Sequence, residues 1–214
     1  EFMRGVLMVG MARQVLNKHQ LRTRETEQRL LNAAEEIFVR DGYEGAQLEE
    51  IAAIAGRTKG AVYAHFESKE DLFLALFERR TREYVDRLIA SLTTCTTRKQ
   101  SLEAFRGFYV SLASDRAWPI LTLEFKLFSL RHPGSKERLR KAYEMITPGG
   151  NDSFQQQVFG SLTPARQKDH NLALLSLGPI VSGLMLDSHF EPEVLTERAL
   201  RRILGRVFDA LFPG

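Results

Sequence analysis

Between Leu48 and Phe66 the chain carries two short apolar stripes separated by only three residues, Gly56-Arg57-Thr58. Leu48, Ile51, Ala52 and Ala55 recur at three- and four-residue spacing, and so do Val62 and Phe66, which predicts short amphipathic helices over about 48–55 and about 59–66. Three intervening residues leave room for nothing but a tight turn, so the two helices must cross. Ala52 is small where they meet, Gly56 permits the turn, and Ile51, Val62 and Phe66 lock the crossing. Thr58 and Ser68 are placed to cap the helices that follow them. That leaves the outer face of the second short helix (Lys59, Gly60, Ala61, Tyr63, Ala64) unused by packing.

The rest of the chain reads as helix as well. Strand-like alternation is nearly absent, and 3.6-residue periodicity recurs from end to end. A first helix is predicted over about 25–40, ended by Asp41-Gly42, with Gly42 suited to a left-handed residue. Beyond the crossing pair come helices over about 69–92, 98–113, 118–130 and 135–146. A short piece follows at 154–159, then a long helix from Thr163-Pro164 to about Ser188, and a last one from Glu191-Pro192 to near Phe212. Pro148 to Asp152 reads as a break, either a gate or a plain loop.

Composition excludes several classes. With a single cysteine, Cys95, the 214-residue chain cannot form an internal disulfide or a CxxC zinc or redox site. The longest uncharged apolar stretch, Leu172 to Leu186, is 15 residues and too short to span a bilayer. The apolar run Val6 to Val9 is too brief for a signal peptide, so a cytoplasmic location without membrane contact is expected. Glu1-Phe2 ahead of Met3 reads as a cloning scar. No GxSxG, P-loop, HExxH or dinucleotide fingerprint is present, and His19, His65, His132, His170 and His189 lack metal-ligand spacing, so no enzyme, metal or cofactor is expected.

Charge is distributed unevenly. Phe2 to Arg24 holds five basic residues (Arg4, Arg13, Lys18, Arg22, Arg24) and no acidic one, whereas Glu25 to Arg80 holds seven Lys/Arg against twelve Asp/Glu. A nucleic-acid role in the second segment must therefore rest on one face. The basic arm suits phosphate contact or is a solvated leader. On the exposed helix face, small Gly60 and Ala61 let a backbone approach a DNA groove, and Lys59 can reach a base edge or a phosphate. Tyr63, His65 and Lys69 can donate to phosphate oxygens, although Tyr63 and His65 can equally be packing at a helix end.

Three runs carry a resemblance: Gly42-Tyr43-Glu44-Gly45-Ala46-Gln47-Leu48-Glu49-Glu50-Ile51-Ala52, Ala55 through Phe66, and Ser68-Lys69-Glu70-Asp71-Leu72. Together they resemble the TetR family of bacterial transcriptional regulators over about residues 24–77. The resemblance implies a homodimeric repressor that binds palindromic operator DNA and is released by a small inducer bound in its C-terminal part. Two positions depart from the family pattern. Ala46 stands where a threonine often caps the second helix, leaving Gln47 to substitute, and Arg57 occupies a turn position that is often apolar.

The expectation is an all-α fold, an N-terminal three-helix helix-turn-helix DNA-binding domain followed by a larger helical ligand-binding and dimerisation domain, about nine helices. Residues 1–21 are expected as a flexible basic leader, 22–70 as the DNA-binding domain and 71–214 as the second domain. DNA contacts are assigned to Gln47, Arg57, Thr58, Lys59, Gly60, Ala61, Tyr63, His65 and Lys69. Aromatics cluster from Phe105 to Phe128, and Phe105, Tyr109, Trp118, Phe125, Phe128 and His132 are candidates to line a largely apolar inducer pocket, or to be core. Leu174, Leu177, Val181 and Leu184, with Ile203, Val207, Phe208 and Leu211, form the stripes expected to pair with a second copy in a four-helix bundle. A helical scaffold dimer without DNA binding, or an activator using the same module, are the alternatives.

Overall fold

Gly56 adopts φ +65° and closes the helix before it. Its N–H bonds the Ala53 carbonyl at 3.0 Å while the Arg57 N–H bonds the Ala52 carbonyl at 2.8 Å, the pairing of a Schellman motif. The computed structural model describes residues 17–132 and 152–213. The basic arm through residue 16, the helix expected at 135–146 and most of the break at Pro148 to Asp152 lie outside the described residues. Within them there are nine α-helices and no strand. The chain divides into two compact units between Arg79 and Arg80.

The first unit holds α1 (Lys18–Gly45), α2 (Leu48–Ile54), α3 (Lys59–Tyr63) and the start of α4 (Lys69–Thr93). Helix α1 begins two turns earlier than its apolar stripe suggests, because Asn17 and Gln20 form a reciprocal capping box at 2.9 and 3.0 Å. It kinks at Gly42, where φ is +70°. Leu30, Ala34, Ile37 and Phe38 of α1 are buried with Ile51 and Ala52 of α2, Val62 of α3 and Leu72, Phe73, Leu76 and Phe77 of α4. Phe38 and Phe73 meet edge to face at 4.9 Å. These buried turns of α4 carry the first compact unit to Arg79. Arg79 also ties α4 to α1 through Asn32 at 2.7 Å and Glu35 at 3.0 Å.

The second unit continues α4 and adds α5 (Arg98–Ser111), a 3-10 turn (Leu112–Ser114), α6 (Ala117–Arg131), α7 (Asp152–Phe159), α8 (Pro164–Asp187) and α9 (Glu197–Leu211). Thr97, Thr163 and Thr196 each cap the helix that follows. The last helix starts at Glu197 and not at Glu191-Pro192. Residues 188–195 coil instead in successive turns, Phe190 N–H to Asp187 carbonyl at 2.9 Å and Leu195 N–H to Glu191 carbonyl at 2.8 Å, before Thr196 caps α9. Rings from distant positions fill the core: Phe105 lies 5.2 Å from both Phe154 and Phe208, and Phe159 stacks on Phe212 at 5.0 Å. Arg106 on α5 and Asp209 on α9 add a two-pronged ion pair at 2.6 and 2.8 Å.

This packing places the residues of the expected subunit stripes in two settings. Leu174, Leu177, Val181 and Phe208 lie in the chain's own core, and half-buried Leu184 and Leu211 pack against it. The inward face of α8 is consumed within one chain. Its opposite face carries Leu172 and Leu175, 57% and 46% exposed, followed by exposed Gly178, Pro179 and Gly183. Ile203 and Val207 of α9 are half-buried.

Candidate nucleic-acid interface

Helix α3 is five residues long and owes its form to its ends. The Thr58 hydroxyl accepts the Ala61 N–H at 3.3 Å, and Val62, wholly buried, pins the inner side. Phe66, just past the helix, is 4% exposed and holds the exit. Thr58, Lys59, Gly60, Tyr63 and Ala64 are thereby all presented on one exposed surface, with Ala61 and His65 half-buried beside them. Tyr63 is 51% exposed, too much for a residue whose role is packing.

The cations around this surface are held by the protein itself. Lys59 Nζ lies 2.5 Å from Glu49 Oε1 on α2 and 5.8 Å over the Tyr63 ring. Each partner's hydrogen bond stabilises the other's charge, raising Lys59 above the usual lysine range and lowering Glu49 below the usual carboxylate range. Lys69 Nζ donates to the Glu44 and Ala46 carbonyls at 3.2 Å each and sits 4.7 Å over the Tyr43 ring. Without DNA, its ammonium serves the carbonyls at the end of α1. Arg57 likewise turns inward, donating to the Thr26 hydroxyl at 3.3 Å and to the Gly56 carbonyl at 3.2 Å. Gln47 occupies the cap position of α2 without capping it; its side chain reaches only the Gly45 carbonyl at 3.4 Å. Lys59 and Tyr63 thus remain as polar side chains on the exposed α3 face, with the Glu49 carboxylate an element that sequence spacing did not reveal.

In the second unit the six aromatic candidates fall into different settings. Phe105 and Tyr109 belong to the central cluster, and Phe125 and Phe128 are buried on α6. His132 stacks on Phe128 at 4.1 Å, with Nδ1 3.0 Å from the Phe128 carbonyl. Trp118 packs at 4.8 Å on Tyr84 of α4. The Tyr109 and Thr81 hydroxyls are buried with no hydrogen-bond partner among the described residues. Burial pushes the Tyr109 phenol up. An open cleft of about 270 Å³ between α7 and α8 shares no residue with the six; Gln155, Gln156, Ser161 and Gln167 give it a polar lining.

A second charged centre lies beside Trp118. The Asp115 carboxylate accepts from Arg80 Nη2 at 2.5 Å and from the Tyr84 hydroxyl, and its other oxygen accepts the Ala117 and Trp118 N–H groups at 3.1 and 3.0 Å. Partial burial pushes the Asp115 pKa up, but the Tyr84 and Trp118 hydrogen bonds and the Arg80 charge outweigh it and hold the carboxyl below its usual range. Tyr84 moves the other way, its phenol raised by burial and by the carboxylate it serves. No helix among the described residues is long and apolar enough to cross a membrane. No group of three or more metal-ligating side chains occurs among them.

With this geometry in place, comparison with known proteins is informative. The model of the family described as "Bacterial regulatory proteins, tetR family" matches residues 30–76, which contain α2, α3 and their brace. The fatty acid metabolism regulator protein of Bacillus subtilis (strain 168) is 29% identical over 122 residues, 56% of this chain and 63% of that protein. The HTH-type transcriptional activator FasR of Mycolicibacterium smegmatis is 41% identical over 80 residues, 37% of this chain and 36% of its own length. The chain thus spans less than two thirds of each of these two relatives. The crystal structure of the transcriptional regulator FadR from Bacillus subtilis in complex with stearoyl-CoA superposes with a TM-score of 0.66 at 22% identity, covering 87% of this chain and 98% of that one. At that identity the likeness speaks to fold alone. Residues 30–76 are thus similar to the TetR family of bacterial regulatory proteins, and the fold of the chain is similar to that of FadR.

Proposed function

We propose that this chain is a DNA-binding transcriptional regulator that acts as a homodimer, a repressor of a palindromic operator released by a small, largely apolar inducer. The observation that carries the reading is the α3 surface: small residues and Tyr63 exposed, Val62 and Phe66 buried, and both helix ends fixed by turn and cap bonds. A helix so short and so rigidly held suits insertion into the major groove, with Gly60 and Ala61 allowing close approach, Lys59 reaching base edges and Tyr63 and His65 donating to phosphates. One such helix reads only a few base pairs, so two are needed, about 34 Å apart. The apolar outer face of α8, with Leu172, Leu175 and exposed glycines, supports pairing with a second copy.

A core rich in rings, with a Tyr109 hydroxyl that has no partner among the described residues, supports an apolar guest oriented by one polar group. Stearoyl-CoA, the molecule bound to the FadR relative, is the first probe to try. Helix α4 carries the chain across the division at Arg79. A ligand with higher affinity for one position of α4 would shift the spacing of the paired α3 helices and so release DNA. Selection from a random DNA pool, with purified protein at two salt concentrations, tests the reading. An enriched palindrome that fades with salt is expected. No enrichment, with or without stearoyl-CoA, would favour a helical scaffold dimer. Activation is the second reading, favoured by the match to the activator FasR. A reporter with the selected site placed upstream of or across the promoter separates the two.

A further inference from the structure

The helix-turn-helix unit is acidic overall, yet every cation from Arg40 to Lys69 is tethered inside it. Arg40 binds Asp41 and Glu50, Arg57 binds Thr26, Lys69 binds the carbonyls ending α1, and Lys59 binds Glu49. Of the four, only Lys59 stands on the exposed α3 face. Its ammonium is fixed between one carboxylate at 2.5 Å and the Tyr63 ring at 5.8 Å, and Lys59 and Glu49 stay open to solvent, 47% and 59% exposed. We infer that Glu49 is a positioning residue that withholds Lys59 from the DNA backbone and so sets sequence discrimination.

The inference rests on the DNA-binding reading above and follows from donor arithmetic. An ammonium has three N–H donors. With one directed to Glu49, the others remain for a neutral base-edge acceptor such as guanine O6 or N7, whose partial charge Glu49 repels far less than a phosphate. A phosphate is different. It brings its own charge toward the Glu49 carboxylate and must draw Lys59 away from it. A lysine on a free four-carbon stem would take whichever phosphate lies nearest and carry no sequence information. Tethered, it contributes little on random DNA and more on the right base. Glu49 also sits in the first turn of α2, where a carboxylate favours the helix by itself, so the two roles must be separated by experiment.

Glu49→Gln removes the charge and keeps the shape. Binding of the pool-selected palindrome and of a shuffled duplex is followed by fluorescence anisotropy across a salt series, for wild type, Glu49→Gln, Lys59→Ala and the double variant. Glu49→Gln should bind the shuffled duplex about threefold tighter, with a log–log salt slope steeper by about one, because Lys59 is released to a phosphate. Affinity for the palindrome should change less, so the ratio of the two falls. In the Lys59→Ala background the same substitution should leave the slope unchanged. An unaltered slope, equal tightening on both duplexes, or the full effect persisting without Lys59 would each overturn the inference. Wild-type protein that selects no palindrome would overturn the DNA-binding reading and this inference with it.

Discussion

In the unit ending at Arg79, the geometry of α2 and α3 is fixed by bonds between near neighbours: Gly56 with Ala53, Arg57 with Ala52, Ala61 with Thr58. In the unit beginning at Arg80, α5 and α9 are held together by groups far apart in sequence, Arg106 with Asp209 and Phe105 with Phe208. The first arrangement makes a small surface rigid and leaves Tyr63 and Lys59, the latter tethered only to Glu49, on its exposed side. The second makes a core whose parts depend on one another across the unit, and in which the buried Tyr109 and Thr81 hydroxyls have no partner among the described residues. On the proposed function, a surface that reads DNA gains from local rigidity, and a core that responds to a guest gains from long-range dependence, because displacing one ring disturbs the rest.

Among single truncations the largest effect is expected from Phe208→Ala. The ring packs at 4.9 Å on Phe212, 5.2 Å on Phe105 and 5.8 Å on Tyr109, and truncating such a group costs about 3–5 kcal/mol. The single tryptophan, Trp118, lies in the second unit and reports its unfolding. Denaturant melts followed by Trp118 fluorescence should shift strongly, while amide exchange at Ile51 and Val62 in the first unit should keep its protection. Loss of both together would break the comparison and show one cooperative body.

Asp115→Ala comes next, at about 2 kcal/mol, because it strips a half-buried carboxylate from Arg80 and Tyr84 at once. The pH dependence has a definite sign. A carboxyl whose folded pKa lies below its unfolded value stabilises the fold above the unfolded pKa, about 3.9, and that contribution disappears as pH falls through the folded value. Melts from neutral pH downward should therefore show Asp115→Asn losing less stability on acidification than wild type. Parallel acid profiles would remove Asp115 from the set of groups that matter.

A smaller loss is expected on the local side of the comparison. Gly56 has φ +65° and nothing within 4 Å of where a Cβ would stand, so Gly56→Ala meets only backbone strain, about 1–2 kcal/mol. Gly56→Asn should cost less than Gly56→Ala, since asparagine tolerates the left-handed region. Far-ultraviolet dichroism and duplex binding should register the alanine variant, with Trp118 fluorescence unmoved. Equal losses for alanine and asparagine would mean that the turn is held by something other than the conformation of residue 56.

The same division explains what the sequence revealed. Helix-turn-helix spacing, the Gly56 turn and the Thr58 cap were legible because each is a rule about residues a few positions apart. The start of α1 at Lys18 was missed because Asn17 and Gln20 lie outside any apolar stripe, although their capping box was readable. Lys69 and Arg57 read as outward cations because their acceptors, the carbonyls of Glu44 and Ala46 and the hydroxyl of Thr26, are brought near only by the fold. In the second unit the periodicity marked Leu174, Leu177 and Val181 as one stripe but not which way it faced. Helix α8 has no charge between Asn171 and Leu186, so composition does not distinguish its inner face from its outer one.

That ambiguity supplies the substitution with the least effect on a single folded chain. Leu172 and Leu175 are about half exposed on α8, and replacing both with lysine should change the stability of one chain by no more than about 0.5 kcal/mol per site. Leu174 and Leu177, one and two positions along the same helix, are buried, and the same change there should abolish folding. On the homodimer proposal, sedimentation should show wild type as a dimer and Leu172→Lys with Leu175→Lys as a folded monomer. Wild-type melting temperature should rise with protein concentration while the variant's does not, since association stabilises only what associates. A double variant that stays dimeric would move the interface off this face of α8, to the half-buried Ile203 and Val207 of α9, and would require the paired α3 helices to be spaced by a different two-fold axis.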